Sequence, residues 1–211
     1  MQAEHKDRDS PLSAKRQRND ESKRGRPSRS GSAPSRKRAA AVTLRRAGSS
    51  DEYELVLPPC AQERADDLDE VYGMLDEGEA EVATDELRWL LADCPDFLDA
   101  HQLLGELALV EGDTRLARGH FGYAYDLGLA ALPAPDFRGT LPFRLPANRG
   151  FLTAAKGLAH CLRELAEVDR AREVAERLIA FDPSDPLGVR AWLAQTASAD
   201  ATGTVEKDGP R

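Results

Sequence analysis

The chain has 211 residues, of which 31% are charged and 6% aromatic, a composition that excludes a large aromatic core and leaves room for one or two small domains. Charge divides it: residues 1–48 hold fourteen Lys/Arg against five Asp/Glu and residues 49–211 hold fifteen against thirty-two, so a +9 arm precedes a −17 body. No run of eighteen apolar residues occurs and the opening MQAEHKDRDS lacks the apolar stretch of a secretory signal, so the expectation is an unexported, cytoplasmic chain without membrane insertion.

Residues 1–50 read as a disordered basic tail, since a segment of Arg, Lys, Ser, Pro, Gly and Ala without Trp, Tyr, Phe or Ile cannot bury enough apolar surface to offset ordering entropy. Inside it, Lys23, Arg24, Gly25, Arg26 and Pro27 resemble the core of the AT-hook. That resemblance implies an extended strand along a narrow minor groove, with Gly free of a clashing side chain and Pro enforcing extension. The competing reading is a solvated basic arm that contacts DNA or RNA through residues 1–48 by charge alone. Lys15-Arg16-Gln17-Arg18 and Arg36-Lys37-Arg38 add charge to either reading, and in a nucleated cell they suit nuclear import.

Residues 51–62 follow as an extended linker, in which Tyr53–Leu57 stops at Pro58-Pro59; a single such run has no partner with which to make a sheet. Residues 63–194 place apolar side chains at helical spacing, for example Leu68, Val71, Tyr72 and Leu75, then Leu87, Leu90 and Leu91, and predict a helical domain. Residues 195–211 turn polar and are expected to fray.

The helical part repeats. An offset of 34 carries Glu77-Gly78 onto Glu111-Gly112, Val71 onto Gly105, Ala83 onto Ala117, Leu87 onto Phe121 and Leu90 onto Ala124. A third copy begins at Leu152, shifted by 54 from the second, which is one period plus an insertion of 20. A 34-residue unit of two antiparallel helices resembles the tetratricopeptide repeat. The family's small residues fall on Gly105 and Ala159 in first helices and on Ala83, Ala117 and Ala171 in second helices, and its closing proline on Pro95 and Pro183. The chain departs from the family in having Val71 where Gly or Ala is usual, Leu129 in place of the second proline, and no Trp at the start of a first helix. The resemblance implies an all-α solenoid of repeats at about 64–97, 98–131 and 152–185, with an insertion at about 130–150 and a capping helix at about 187–194 in which Trp192 is core.

In that family the first helix of each repeat lines a concave groove. Carried over by position, the groove takes Asp69, Tyr72 and Asp76 from the first copy and Asp99, Gln102, Glu106 and Leu109 from the second. The third offers Thr153, Lys156, His160 and Arg163 on one helical face. One end is then acidic and the other basic; the alternative is that each residue belongs to an ordinary solvated face. Family members that grip the C-terminal carboxylate of heat-shock chaperones use Lys, Arg and Asn where this chain has Asp99, Gln102 and Glu106, so that clamp is not carried over. The insertion holds Pro133, Pro135, Pro142 and Pro146 with Phe137 and Phe143. It reads either as a lid over the groove or as filler packed against the cluster His120–Tyr125.

Cys60, Cys94 and Cys161 are odd in number and lack CxxC spacing, which reads as three free thiols. The histidines stand at no metal-ligand spacing from them, so neither metal nor cofactor is expected. His160 lies between Lys156 and Arg163, but no set of nucleophile, base and orienting carboxylate accompanies it, and no phosphate loop, GxSxG or HExxH occurs. The sequence therefore predicts a non-enzymatic scaffold or adaptor binding a peptide or protein in its groove. A nucleic-acid-associated protein with the repeats as recruiter, and a homo-oligomeric assembly subunit, stand as alternatives.

Overall fold

The computed structural model describes residues 41–48 and 51–203, with side chains in the last helix up to Thr196. Two strands, β1 (Thr43–Arg46) and β2 (Tyr53–Val56), lead into eight helices among the described residues. These are α1 (Pro59–Glu63), α2 (Ala65–Asp76), α3 (Ala80–Asp93), α4 (Leu98–Val110), α5 (Thr114–Ala130), α6 (Pro146–Glu164), α7 (Val168–Phe181) and α8 (Val189–Gly203). The fold is thus mostly helical with one small two-stranded sheet.

The internal repeat is visible in the backbone of three turns. At α2–α3, Gly78 takes φ 81°, its N–H donates to Leu75 O at 3.1 Å, and Glu79 N donates to Met74 O at 2.8 Å. At α4–α5, Gly112 takes φ 79°, with Gly112 N to Leu109 O at 3.0 Å and Asp113 N to Ala108 O at 2.8 Å. At α6–α7 the same pair of bonds runs from Ala166 to Arg163 O at 2.9 Å and from Glu167 to Leu162 O at 2.8 Å, and Ala166 takes φ 62°. Each is the left-handed closure that satisfies the last carbonyls of a helix. In the third copy an alanine holds it, at a cost of about 1–2 kcal/mol for an L-residue. α3 starts 34 residues before α5, and α5 starts 54 before α7, matching the offsets read from the sequence.

Each helix from α2 onward packs against its successor, and α4 also meets α6. The contact between α4 and α6 is built around one ring. A Cβ on Gly105 of α4 or on Gly157 of α6 would stand 2.6 Å from Phe121 of α5, so the fully buried phenyl ring fills the space that two side chains would need. Two apolar clusters result. The smaller joins Ala61, Val71, Ala83, Leu87, Leu90, Phe97, Leu103 and Leu104; the larger runs from Leu98 through Phe121, Phe151, Leu162 and Phe181 to Val189. Leu57 packs on both, and α4 enters the fold where they divide, Phe97 in one and Leu98 in the other.

Four sequence expectations change. Tyr53–Leu57 is not an isolated run: β2 pairs antiparallel with β1, Thr43 opposite Val56 and Arg46 opposite Tyr53, so the span read as tail contributes a strand from Thr43. Arg45 and Arg46 give that strand a solvent-facing charge pairing with Glu54 and Asp51 at 2.8 and 2.9 Å. The insertion is shorter than expected, because Pro146 occupies the first turn of α6, where its missing N–H is not needed. The last helix continues to Gly203 instead of ending near Ala194, its start capped by Asp185, which accepts from Val189 N and Arg190 N at 2.7 and 3.0 Å. Finally, Cys60 and Cys94 are joined by a disulfide with Cα atoms 5.7 Å apart, leaving Cys161 as the free, buried thiol among the described residues. The reading of three free thiols is overturned. No helix among the described residues is long and apolar enough to cross a membrane.

Candidate functional site

The carboxylates expected on the concave face gather around Tyr72. Burial raises the Tyr72 phenol above its ordinary range, and the charges of Asp99, Glu106 and Asp69 push it further, so α2 and α4 present these groups to one another. Asp99, in the first turn of α4, is enclosed by protein on nearly all sides while keeping some solvent contact. Its Oδ1 would lie 2.0 Å from a Cβ on Gly150 of α6, so only a glycine there leaves it room. Desolvation pushes the Asp99 carboxyl up to about 6. Burial also raises Glu106, against a hydrogen bond from the buried Gln102 side chain that favours its charged form. Asp76 is exposed on the last turn of α2, and no hydrogen bond or ion pair among the described residues joins it to this group.

The basic residues of the third copy meet a different fate. Thr153, Lys156 and His160 line a cleft of about 320 Å³ together with Glu106, Leu109, Leu187 and Trp192, so Glu106 is where the acidic and basic ends meet. Lys156 Nζ donates to Leu187 O at 2.8 Å. Arg163 lies outside this cleft, beneath α8 with Trp192 and Leu193, and its Nη2 reaches Thr196 O at 3.4 Å. The expected open stripe from Thr153 to Arg163 is therefore partly covered, because the segment leading into α8 and α8 itself place carbonyls on its cations. Trp192, expected as core, is half-buried and lines both spaces.

The sequence reading missed the residue that ties the strands to the helices. Asn148 sits in the first turn of α6, fully buried. Its Oδ1 accepts from Leu55 N at 3.0 Å while its Nδ2 donates to Tyr53 O at 3.0 Å and Pro142 O at 3.1 Å. One amide thus imitates a neighbouring strand along β2. Further rungs come from the insertion, where Thr140 N donates to Asp51 O at 2.9 Å and Tyr53 N to Thr140 O at 2.8 Å. Phe137 packs edge-on to Tyr53 with centroids 5.0 Å apart, so its ring partner is the sheet and not the expected His120–Tyr125 cluster. Asp182 fixes the other end of the loop, accepting from Phe143 N at 2.7 Å and from Ser184 N and Oγ. Burial pushes its carboxyl up, but those bonds outweigh it and hold it below the usual range.

A second unanticipated feature is a pair of histidines on α4 and α5. His101 Nδ1 and His120 Nδ1 are 3.3 Å apart, and His101 Nε2 is 3.0 Å from Pro95 O. The carbonyl can only accept, so His101 carries its proton on Nε2 and accepts at Nδ1 from His120. Burial lowers both imidazoles, the His101 ring further by its neighbour and the His120 ring by Arg88. No group of three or more His, Cys, Asp or Glu able to hold a metal occurs among the described residues. The Cys161 thiol is pushed up to about 11 by burial, which leaves it protonated at neutral pH. Lys23, Arg24, Gly25, Arg26 and Pro27 lie outside the described residues. Comparison with protein-family models, with curated proteins and with solved structures finds no match to this chain.

Proposed function

We propose that the chain is a non-enzymatic interaction module of the tetratricopeptide kind, a solenoid of three helical hairpins with α8 as cap, whose concave face binds a Lys/Arg-bearing segment of a protein partner. The observation that carries this reading is the group of Asp69, Asp99 and Glu106 around Tyr72. None of the three belongs to an ion pair among the described residues, whereas Asp51, Glu54, Asp67, Asp85, Asp93, Glu167 and Asp185 each do. The three equal turns support the repeat. A cation bound there would meet carboxylates in a partly desolvated setting, where attraction is stronger than in bulk water. Titration of fluorescein-labelled Lys/Arg-bearing peptides against the wild-type chain and an Asp99→Asn, Glu106→Gln variant checks this. The expected result is a loss of at least about tenfold in affinity, or ~1.4 kcal/mol; equal affinity for the two proteins sinks the reading.

A second reading rests on the twelve Lys/Arg among residues 1–40: the arm binds nucleic acid and the helices recruit a partner. Mobility shifts of wild type and an Arg24→Ala, Arg26→Ala variant on A·T-rich and G·C-rich duplexes test it. A minor-groove hook predicts preferential loss on the A·T-rich duplex. Equal, salt-sensitive binding to both leaves only charge.

A further inference from the structure

Resting on the reading of the concave face as a peptide site, we infer that its acidic strip takes up this chain's own segment Arg36–Lys37–Arg38, so that the groove is self-occupied until a partner displaces it. Three observations converge on this occupant. Asp99 is enclosed and forms no ion pair among the described residues, its Oδ1 turned against the Cα of Gly150, and Asp69 and Glu106 stand near enough to act with it on Tyr72. Lys156 shares the cleft of Glu106 but donates to Leu187 O at 2.8 Å, so the strip keeps its negative charge unpaired among the described residues.

The described chain also begins in the apolar cluster to which Leu98, the neighbour of Asp99, belongs. Continuing the pairing of Thr43 with Val56 places Val42 opposite Leu57, which packs on both apolar clusters. Those are the clusters that the entry of α4 divides, immediately before Asp99. Val42 is itself buried in the cluster that holds Leu98. From Val42 back to Arg38 are four residues, an extended reach of about 13 Å, against a helix diameter of roughly 10 Å. A stretch of that length can span the end of one helix, which the proposed occupancy requires.

Charge order along the chain points the same way. Arg45 and Arg46 of β1 are engaged by Glu54 and Asp51, and Arg36-Lys37-Arg38 is the next basic cluster upstream. A tethered segment acts at an effective concentration in the mM range for a short linker. Even a weak triplet–groove contact would thus be mostly formed, and an outside peptide would have to compete with it. The device is a threshold: partners with more positive charge than the triplet gain entry, and weaker ones do not.

The test uses the full chain in two measurements. Zero-length carbodiimide coupling joins a lysine amine to a carboxylate only when the two touch, so the expected product is Lys37 linked to Asp69, Asp99 or Glu106 in the monomer band. Its yield should fall severalfold at about 1 M NaCl, where the screening length is near 3 Å. In the second measurement, a labelled peptide with the sequence of residues 34–42 is titrated into wild type and into an Arg36→Gln, Lys37→Gln, Arg38→Gln variant. Removing the tethered competitor should tighten binding at least about tenfold. Absence of the cross-link with equal affinities overturns self-occupation while leaving the groove reading intact. Cross-links confined to a dimer band also overturn it, naming a second copy as the occupant. Failure of the peptide to bind either protein removes both readings.

Discussion

The two ends of the helical body are held together by different means. The first hairpin, α2–α3, rests on the smaller apolar cluster and is closed by the Cys60–Cys94 disulfide. On its outer side Arg64 lies over the Trp89 ring at 4.5 Å and bonds Asp67 and Asp93 at 3.1 and 2.9 Å. The half from α4 to α8 buries the larger cluster and needs no covalent link, because the sheet and the insertion are fastened to it through Asn148, Thr140 and Asp182. Where apolar area is short, a cross-link compensates; where it is ample, buried polar bonds set geometry on top of it.

That contrast can be broken from either side. The largest effect is expected from Cys60→Ser, Cys94→Ser, which opens a loop spanning a sequence separation of 34 and should cost about 4 kcal/mol on the chain-entropy estimate. Hydrogen exchange should then rise first in α2 and α3 while α6 and α7 stay protected; uniform loss of protection would mean that the halves do not differ in this way. Next comes Asn148→Ala, which strands Leu55 N, Tyr53 O and Pro142 O in a buried setting and should cost about 2–4 kcal/mol. Its signature is the reverse, with exchange rising in β1 and β2 while α2 and α3 are unchanged.

The smallest effect sits at the join between the halves. Asp99 is raised to about 6, so the fold prefers its neutral form: the stabilisation is full below about pH 4 and is lost as pH rises through 6. Asp99→Asn should therefore raise stability at pH 7 by about 1–2 kcal/mol, discounted for partial exposure, and leave it unchanged near pH 4. The lowered imidazoles of His101 and His120 act in the opposite sense, with stability present above about pH 6.5 and lost as pH falls. Melting curves from pH 4 to 8 would separate the two, since only the first contribution disappears in the variant.

The helices and their period were readable because both are local: apolar spacing marks a helix face, and Gly78 and Gly112 mark where a left-handed turn is needed. Ala166 carried no such signal, yet its neighbours force the same turn. The strand Thr43–Arg46 was hidden in an Arg-rich stretch with Leu44 as its inward apolar residue, and β2, with which it pairs, is itself held by an asparagine 93 residues beyond Leu55. No local pattern reports that distance. The disulfide did leave a trace, since Cys60 and Cys94 stand one repeat period apart. Chain position also placed Tyr72, Asp99 and Glu106 on one expected face, and the three are near enough for the two carboxylates to act on the Tyr72 phenol. The covering of Lys156 and Arg163 was not readable, since it depends on where the chain travels after the last repeat.

Phe121 carries a further implication. Its ring stands between Gly105 and Gly157, so one side chain on α5 acts as the spacer that sets how far apart α4 and α6 lie. A smaller side chain at that position lets the two helices draw together and a Cβ on either glycine forces them apart. The separation of α4 and α6 is thus adjustable from inside the core, by a residue that solvent does not reach.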